Sequence, residues 1–120
     1  MSEASRFHQL AARAKARIRE VTAAEAEQLQ RSGALFVDVR EADEFAREHA
    51  RGAVHMSRGT VEMKIEKQIP DVATPIVCYC GGGSRSALVA DNLQQMGYTN
   101  VSSLAGGFKS WKEAGLACEV

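Results

Sequence analysis

The sequence has no net charge, because its 15 Lys and Arg residues balance 15 Asp and Glu residues. Without an excess of positive charge there is little electrostatic attraction to a phosphate backbone, so we expect no general nucleic-acid binding. Long apolar runs are also absent, and no stretch approaches the roughly 20 residues needed to cross a bilayer. We therefore expect no membrane span.

Cysteine is scarce, with Cys78, Cys80 and Cys118 as its three residues. An odd number of cysteines indicates no disulfide framework, and the first residues lack the apolar core of a secretory signal. These absences predict a reducing compartment, most simply the cytoplasm, where thiols stay free. A Cys-x-Cys metal site would need two further ligands, and none stand out, so we expect no metal and no organic cofactor.

The pattern of apolar residues predicts one α/β domain. At 120 residues the chain has room for one compact domain, and we find neither repeats nor linkers. Helical patterns cover residues 22–33, 42–49, 60–69, 86–96 and 108–114, and strand patterns cover 35–39, 53–56, 75–79 and 100–104. Strands that alternate with helices favour a parallel sheet of about five strands flanked by helices.

Residues 1–17 differ from the remaining domain, residues 18–120, and are predicted to form an added basic helix. Phe7, Leu10, Ala14 and Ile18 follow helical spacing. This apolar stripe is either packed on the chain's own domain or used to dock an acidic partner or anionic lipid. Because the stripe is small and rich in alanine, we favour packing on the chain's own domain.

The segment most indicative of chemistry follows strand 75–79 and precedes a helix; it reads Cys80-Gly81-Gly82-Gly83-Ser84-Arg85-Ser86. The end of a parallel strand faces the ligand crevice of an open sheet. A glycine-rich turn before a helix directs several N–H groups and the positive end of the helix dipole at one point. A thiol at that point has a pKa below its ordinary value. We therefore predict that Cys80 is a nucleophile, the alternative being a small buried hydrophobe on a plain turn.

This loop resembles the active-site loop of rhodanese-like sulfurtransferases, whose single-domain members often read C-x-x-G-x-R-S. Residues 37–41, with the sequence Val-Asp-Val-Arg-Glu, together with Glu44, Phe45 and His49, resemble the first rhodanese signature. Residues 106–108 and Trp111 resemble the closing signature. The three motifs stand in the family's order and cover roughly residues 18–117, which makes the resemblance specific.

The resemblance implies a rhodanese-like fold and a sulfurtransferase. Cys80 is implied to take the outer sulfur of a donor such as thiosulfate, carry it as a persulfide and pass it to cyanide or a thiol. The loop that binds the thiolate and substrate is implied to consist of Gly81, Gly82, Gly83, Ser84, Arg85 and Ser86. Four residues separate Cys80 from Arg85, one fewer than in related cysteine phosphatases, so phosphatase activity and arsenate reduction are disfavoured.

Several assignments stay open at this point. Arg85 either binds an anionic donor group or braces the loop on carbonyls or on Asp38. Asp38 and Arg40 end a strand and are interpreted as supporting residues, Arg40 through a salt bridge that holds the neighbouring loop. Two other functions remain: a sulfur-relay carrier that works with a protein donor or acceptor, and a non-catalytic binding module, which the intact cysteine disfavours.

Overall fold

The computed structural model describes residues 5–120. Within that range the helices are α1 (Arg6–Lys15), α2 (Ala23–Arg31), α3 (Ala42–Arg47), α4 (Val61–Gln68), α5 (Ser84–Gln95) and α6 (Gly107–Glu113). The strands are β1 (Arg19–Val21), β2 (Leu35–Asp38), β3 (His49–Ala50), β4 (Val54–His55), β5 (Ile76–Tyr79), β6 (Val101–Leu104) and β7 (Cys118–Glu119). None of these helices is long and apolar enough to cross a membrane.

A five-stranded sheet with the order β1-β6-β5-β2-β4 forms the centre of the molecule. All four pairings within it are parallel, which confirms the expected α/β architecture. A small antiparallel pair, β3 with β7, lies apart from this sheet. Parallel strands end at one edge of the sheet, so the residues that follow β2 and β5, which are direct neighbours, lie side by side there.

Apolar residues pack on both faces of the sheet. Successive residues of β5 alternate between the two sides, as strand geometry requires. Cys78 and Cys80 belong to the core on one face, and Val77 and Tyr79 to the core on the other. The expected place of Cys78 in the core is confirmed by its complete burial.

The end of the basic helix differs from the expectation drawn from its apolar spacing. Helix α1 ends at Lys15, so Ile18 lies beyond it rather than on its stripe. The next residues, from Arg19 to Val21, form β1 and pair with β6. Pairing with a buried strand satisfies the backbone of this segment, and that tertiary gain outweighs its helical spacing.

Helix α1 packs on the domain through its alanines. Ala11 and Ala14 are buried, and Ala14 contacts the α5 residues Ala87 and Leu88. The larger stripe residue Leu10 stays 42% exposed. The first four residues of the predicted extension lie outside the described residues, and the division at residue 17 stays a prediction.

Candidate active site

Cys80 directly follows β5 and is only 1% exposed, at the base of the glycine loop. The backbone N–H of Gly83 donates to its Sγ at 3.0 Å, and the hydroxyl of Ser86 lies 3.5 Å from the same atom. Burial alone raises the pKa of this thiol, but hydrogen bonds from Ser86, Gly83 and Gly82 outweigh burial and lower it. The geometry therefore stabilises the thiolate form of Cys80 at a position that is almost completely buried.

The loop turns into α5 at Gly83, which has φ +103° and caps the helix. That left-handed conformation is open to glycine and strained for other residues. Because α5 starts at Ser84, its first N–H groups and its dipole point toward the sulfur. The sequence-based expectation of a helix N-terminus behind the cysteine agrees with the structure, although α5 begins two residues earlier than the pattern indicated.

A second helix holds the loop from its outer side. The backbone N–H of Phe108 donates to the carbonyl of Cys80 at 2.7 Å, and that of Lys109 to the carbonyl of Gly81 at 3.2 Å. Gly107 permits this approach, because a Cβ there would lie 2.4 Å from the Cys80 carbonyl oxygen. With its first carbonyls bound to α6, the loop keeps its N–H groups directed at Sγ.

A buried hydroxyl pair continues inward from the sulfur. Ser86 Oγ lies 2.8 Å from Ser103 Oγ on β6, and both side chains are buried. Ser86 Oγ is also 3.4 Å from the carbonyl of Gly83. When Ser103 donates to Ser86, the single proton of Ser86 is shared between Sγ and the carbonyl of Gly83.

Arg85 is braced by a carboxylate on the neighbouring helix. Its Nη1 and Nη2 atoms donate to Glu44 Oε1 and Oε2 at 2.9 and 3.3 Å. Of the alternatives left open for Arg85, the structure shows a brace, and its partner is Glu44 instead of Asp38. The hydrogen bond from Arg85 lowers the pKa of Glu44 to about 2, so the pair stays ionised at neutral pH.

Asp38 and Arg40 form a buried ion pair beside the loop. Arg40 Nη2 donates to Asp38 Oδ2 at 2.8 Å, and Arg40 Nε contacts both carboxylate oxygens at 3.1 Å. Arg40 also donates to the carbonyl of Glu48 and lies 4.4 Å from the centre of the Phe108 ring. Arg40 lies just beyond the end of β2, and its side chain turns back to Asp38, the last residue of that strand. Both carboxylate oxygens of Asp38 are therefore bound by Arg40.

A cleft of about 260 Å³ opens above the loop; its lining residues are Phe7, His8, Cys80, Gly82, Ser84 and Arg85. The loop residues were expected here. Phe7 and His8, from the start of α1, were not assigned to any site. The sequence places Phe7 only on an apolar stripe, and no local signal shows that the stripe reaches the cysteine.

The other two thiols lie in different environments. Burial raises the pKa of Cys78 to about 12, with the nearby Cys80 adding to the effect. Cys118 lies in β7, and burial raises its pKa as well. Of the three cysteines, which are all free, Cys80 alone has a lowered pKa.

Sequence comparison relates the chain to known proteins. The model of the family described as rhodanese-like domain matches residues 22–114. Thiosulfate sulfurtransferase GlpE of Haemophilus influenzae is 36% identical over 98 residues, covering 82% of this chain and 91% of that protein. The protein of the same name from Pseudomonas entomophila is 38% identical over 84 residues, covering 70% and 75%.

Solved structures show similar folds. A Rhodopseudomonas palustris protein of unknown function, described as a possible tyrosine phosphatase, is 32% identical with a TM-score of 0.83 and covers 99% of both chains. The polysulfide-sulfur transferase homodimer of Wolinella succinogenes is 28% identical with a TM-score of 0.82. That match covers 94% of this chain and 86% of the other. Both matches extend over nearly the whole of this chain.

Proposed function

The chain belongs to the rhodanese-like domain family, and from that premise we propose that it moves a sulfane sulfur through a persulfide on Cys80. The observation that carries the proposal is the environment of Sγ, which combines near-complete burial with N–H and hydroxyl donors and a lowered pKa. The GlpE relatives are named thiosulfate sulfurtransferases, which supports thiosulfate as a donor.

The proposed reaction has two balanced halves. The Cys80 thiolate attacks the outer sulfur of thiosulfate; a new S–S bond forms, the old one breaks, and sulfite leaves with the bonding pair. Cyanide or a thiolate then attacks the outer sulfur of the persulfide. This attack releases thiocyanate or a new persulfide and restores the Cys80 thiolate, so no outside oxidant or reductant is consumed.

The loop suits this chemistry because its donors are already in place. Negative charge resides on the thiolate before transfer and on the terminal sulfur of the persulfide afterwards. The Gly83 N–H and its neighbours face that region without rearrangement, and preorganised donors of this kind stabilise charge as it moves. Since Cys80 needs a free thiolate, we further propose a reducing compartment, most simply the cytoplasm.

Phosphoryl transfer is the competing chemistry, because one similar structure is described as a possible tyrosine phosphatase. Two features favour sulfur transfer. The loop has four residues between Cys80 and Arg85, which makes a narrow cradle, and both guanidinium Nη atoms of Arg85 already bind Glu44. A phosphate group would need that guanidinium and a wider loop.

Steady-state kinetics tests the proposal. Varying thiosulfate and cyanide together is expected to give the parallel double-reciprocal lines of ping-pong turnover. Cys80→Ser is expected to abolish thiocyanate formation, whereas Cys118→Ser, a matched substitution of a thiol outside the cleft, is expected to retain it. Intersecting lines, or full activity in Cys80→Ser, would contradict the persulfide route. Hydrolysis of p-nitrophenyl phosphate, with no sulfur transfer, would instead establish the phosphatase.

A protein relay is the second candidate, and its donor and acceptor both separate it from the first. A relay carrier is expected to load with sulfur from a persulfidated protein and to turn over small donors and cyanide poorly. The two functions are distinguished by comparing the rate at which a persulfidated protein loads Cys80 with the rate at which thiosulfate and cyanide give thiocyanate.

A further inference from the structure

Helix α1 supplies one wall of the cleft over Cys80. Its first residues, Phe7 and His8, line the cleft together with loop residues. Both lie outside residues 22–114, the part of the chain that matches the family model. The wall is therefore an addition to the part of the chain that matches the family model, and it borders the cleft that Cys80 also lines.

The wall is fixed to the helix that carries the active-site loop. Ala14 packs on Ala87 and Leu88 of α5. Beyond the end of α1, Arg17 makes a two-point contact with Asp91 of α5, with distances of 3.1 and 2.6 Å. Because α5 begins directly behind the loop, movement of α1 relative to Cys80 is restrained.

The orientation of the wall residues is also restrained. Ser5 caps α1: its hydroxyl accepts the backbone N–H of His8 at 3.1 Å and lies 2.7 Å from His8 Nδ1. This contact leaves Nε2 as the ring nitrogen that a ligand can use. The Arg58 guanidinium lies 5.7 Å from the centre of the Phe7 ring, which supports the ring from one side.

The chemistry of this cleft fits an organic sulfur carrier better than a small dianion. Among the described residues of its lining, Arg85 is the arginine, and its guanidinium, which also interacts with Cys80, is partly neutralised by the two-point contact with Glu44. Phe7 is 38% exposed and its ring offers an apolar surface, for which thiosulfate has no counterpart. A volume of about 260 Å³ accommodates a small organic body in addition to the transferred sulfur.

We propose that α1 makes this site selective for low-molecular-weight organic sulfane-sulfur donors, whose carbon body packs against Phe7 and His8 while the outer sulfur reaches Cys80. This inference rests on the proposed sulfurtransferase function. Phe7 and His8 are then specificity-determining residues, and the α1 wall is the part of the site that distinguishes an organic donor from thiosulfate.

The transfer step balances for this class of donor. The Cys80 thiolate attacks the outer sulfur of an organic persulfide or thiosulfonate, and the bond between that sulfur and the carrier breaks. The bonding pair leaves with the carrier as a thiolate or a sulfinate, and the outer sulfur remains on Cys80 as the persulfide. Charge is conserved and no oxidant is required.

The test uses three donors that deliver the same outer sulfur: thiosulfate, methanethiosulfonate and benzenethiosulfonate. They separate the effect of the donor's carbon group on the loading rate from the effect of its charge. Stopped-flow loading of Cys80 is measured for the unmodified chain, Phe7→Ala and His8→Ala. Leu10→Ala serves as the matched control, since Leu10 is an exposed apolar residue of the same helix that is absent from the cleft lining. Thiosulfate loading in each variant reports whether Cys80 itself is intact.

We expect the unmodified chain to load from benzenethiosulfonate about tenfold faster than from methanethiosulfonate, the size of effect typical of one apolar pocket contact. Phe7→Ala is expected to remove most of that preference, measured as the ratio of the two loading rates, whereas Leu10→Ala is expected to keep it. Loading from all donors with no preference, or a preference that survives Phe7→Ala, would overturn this inference and leave the proposed function standing. Loading from none of them would overturn both.

Discussion

The hydroxyl of Ser86 is expected to keep Cys80 reactive at mildly acidic pH. Its Oγ lies 3.5 Å from Sγ, in a site where Cys80 is almost completely buried. A hydrogen bond to a charged group contributes about 1.5–3 kcal/mol. The long distance favours the lower end of that range, and about 1.4 kcal/mol corresponds to a tenfold change in the thiolate fraction.

Ser86→Ala should therefore lower the iodoacetamide alkylation rate of Cys80 about tenfold below the thiol pKa. The rate at high pH, where the thiol is fully ionised, should stay the same. The assay is the second-order rate constant across a pH series, with the labelled residue identified by peptide mass spectrometry. Ser84→Ala, which removes a neighbouring loop hydroxyl, is the matched control. An unchanged pH profile in Ser86→Ala would refute the role assigned to this hydrogen bond.

Three further predictions concern the surroundings of the loop. Gly107→Ala should nearly abolish Cys80 alkylation at neutral pH, because its Cβ would lie 2.4 Å from the Cys80 carbonyl oxygen and push α6 off the loop; an unchanged alkylation rate would contradict this. Glu44→Gln should lower the free energy of unfolding above about pH 5. Because Arg85 lowers the pKa of Glu44 to about 2, the difference in unfolding free energy between the unmodified chain and Glu44→Gln should shrink as pH falls from 4.5 toward 2. A difference that does not depend on pH would argue against the ion pair. Trp111→Ala should lower the free energy of unfolding by about 3–5 kcal/mol in denaturant titration, because its side chain is almost fully buried; a loss below 1 kcal/mol would be inconsistent with that packing.

The sequence was sufficient for the elements whose patterns are local. The capping box at Thr22 and Glu25 predicts the start of α2, and the structure shows both of its hydrogen bonds. The apolar runs that became β2 and β5 were also recognisable, as was the turn from β5 through the glycines into α5. These segments carry their signal within a few residues, so no knowledge of tertiary contacts is needed to recognise them.

The elements and contacts that the sequence patterns did not indicate depend on residues that are distant in the chain. Strands β3 and β7 have two residues each, too few for a periodic pattern, and exist because they pair with one another. The brace between Glu44 and Arg85 joins residues 41 positions apart. The α1 wall of the cleft depends on packing between α1 and α5. In each case the residue types were visible in the sequence, whereas the contact that gives them a role was not.

Intact-mass spectrometry after a single exposure to thiosulfate tests the central claim most directly. The reduced protein is expected to gain the mass of one sulfur atom, and a reductant should remove it. Cys80→Ser should show no gain, whereas Cys118→Ser should load normally. A sulfur adduct that persists in Cys80→Ser, or the absence of an adduct after thiosulfate and organic donors alike, would contradict a persulfide carried on Cys80.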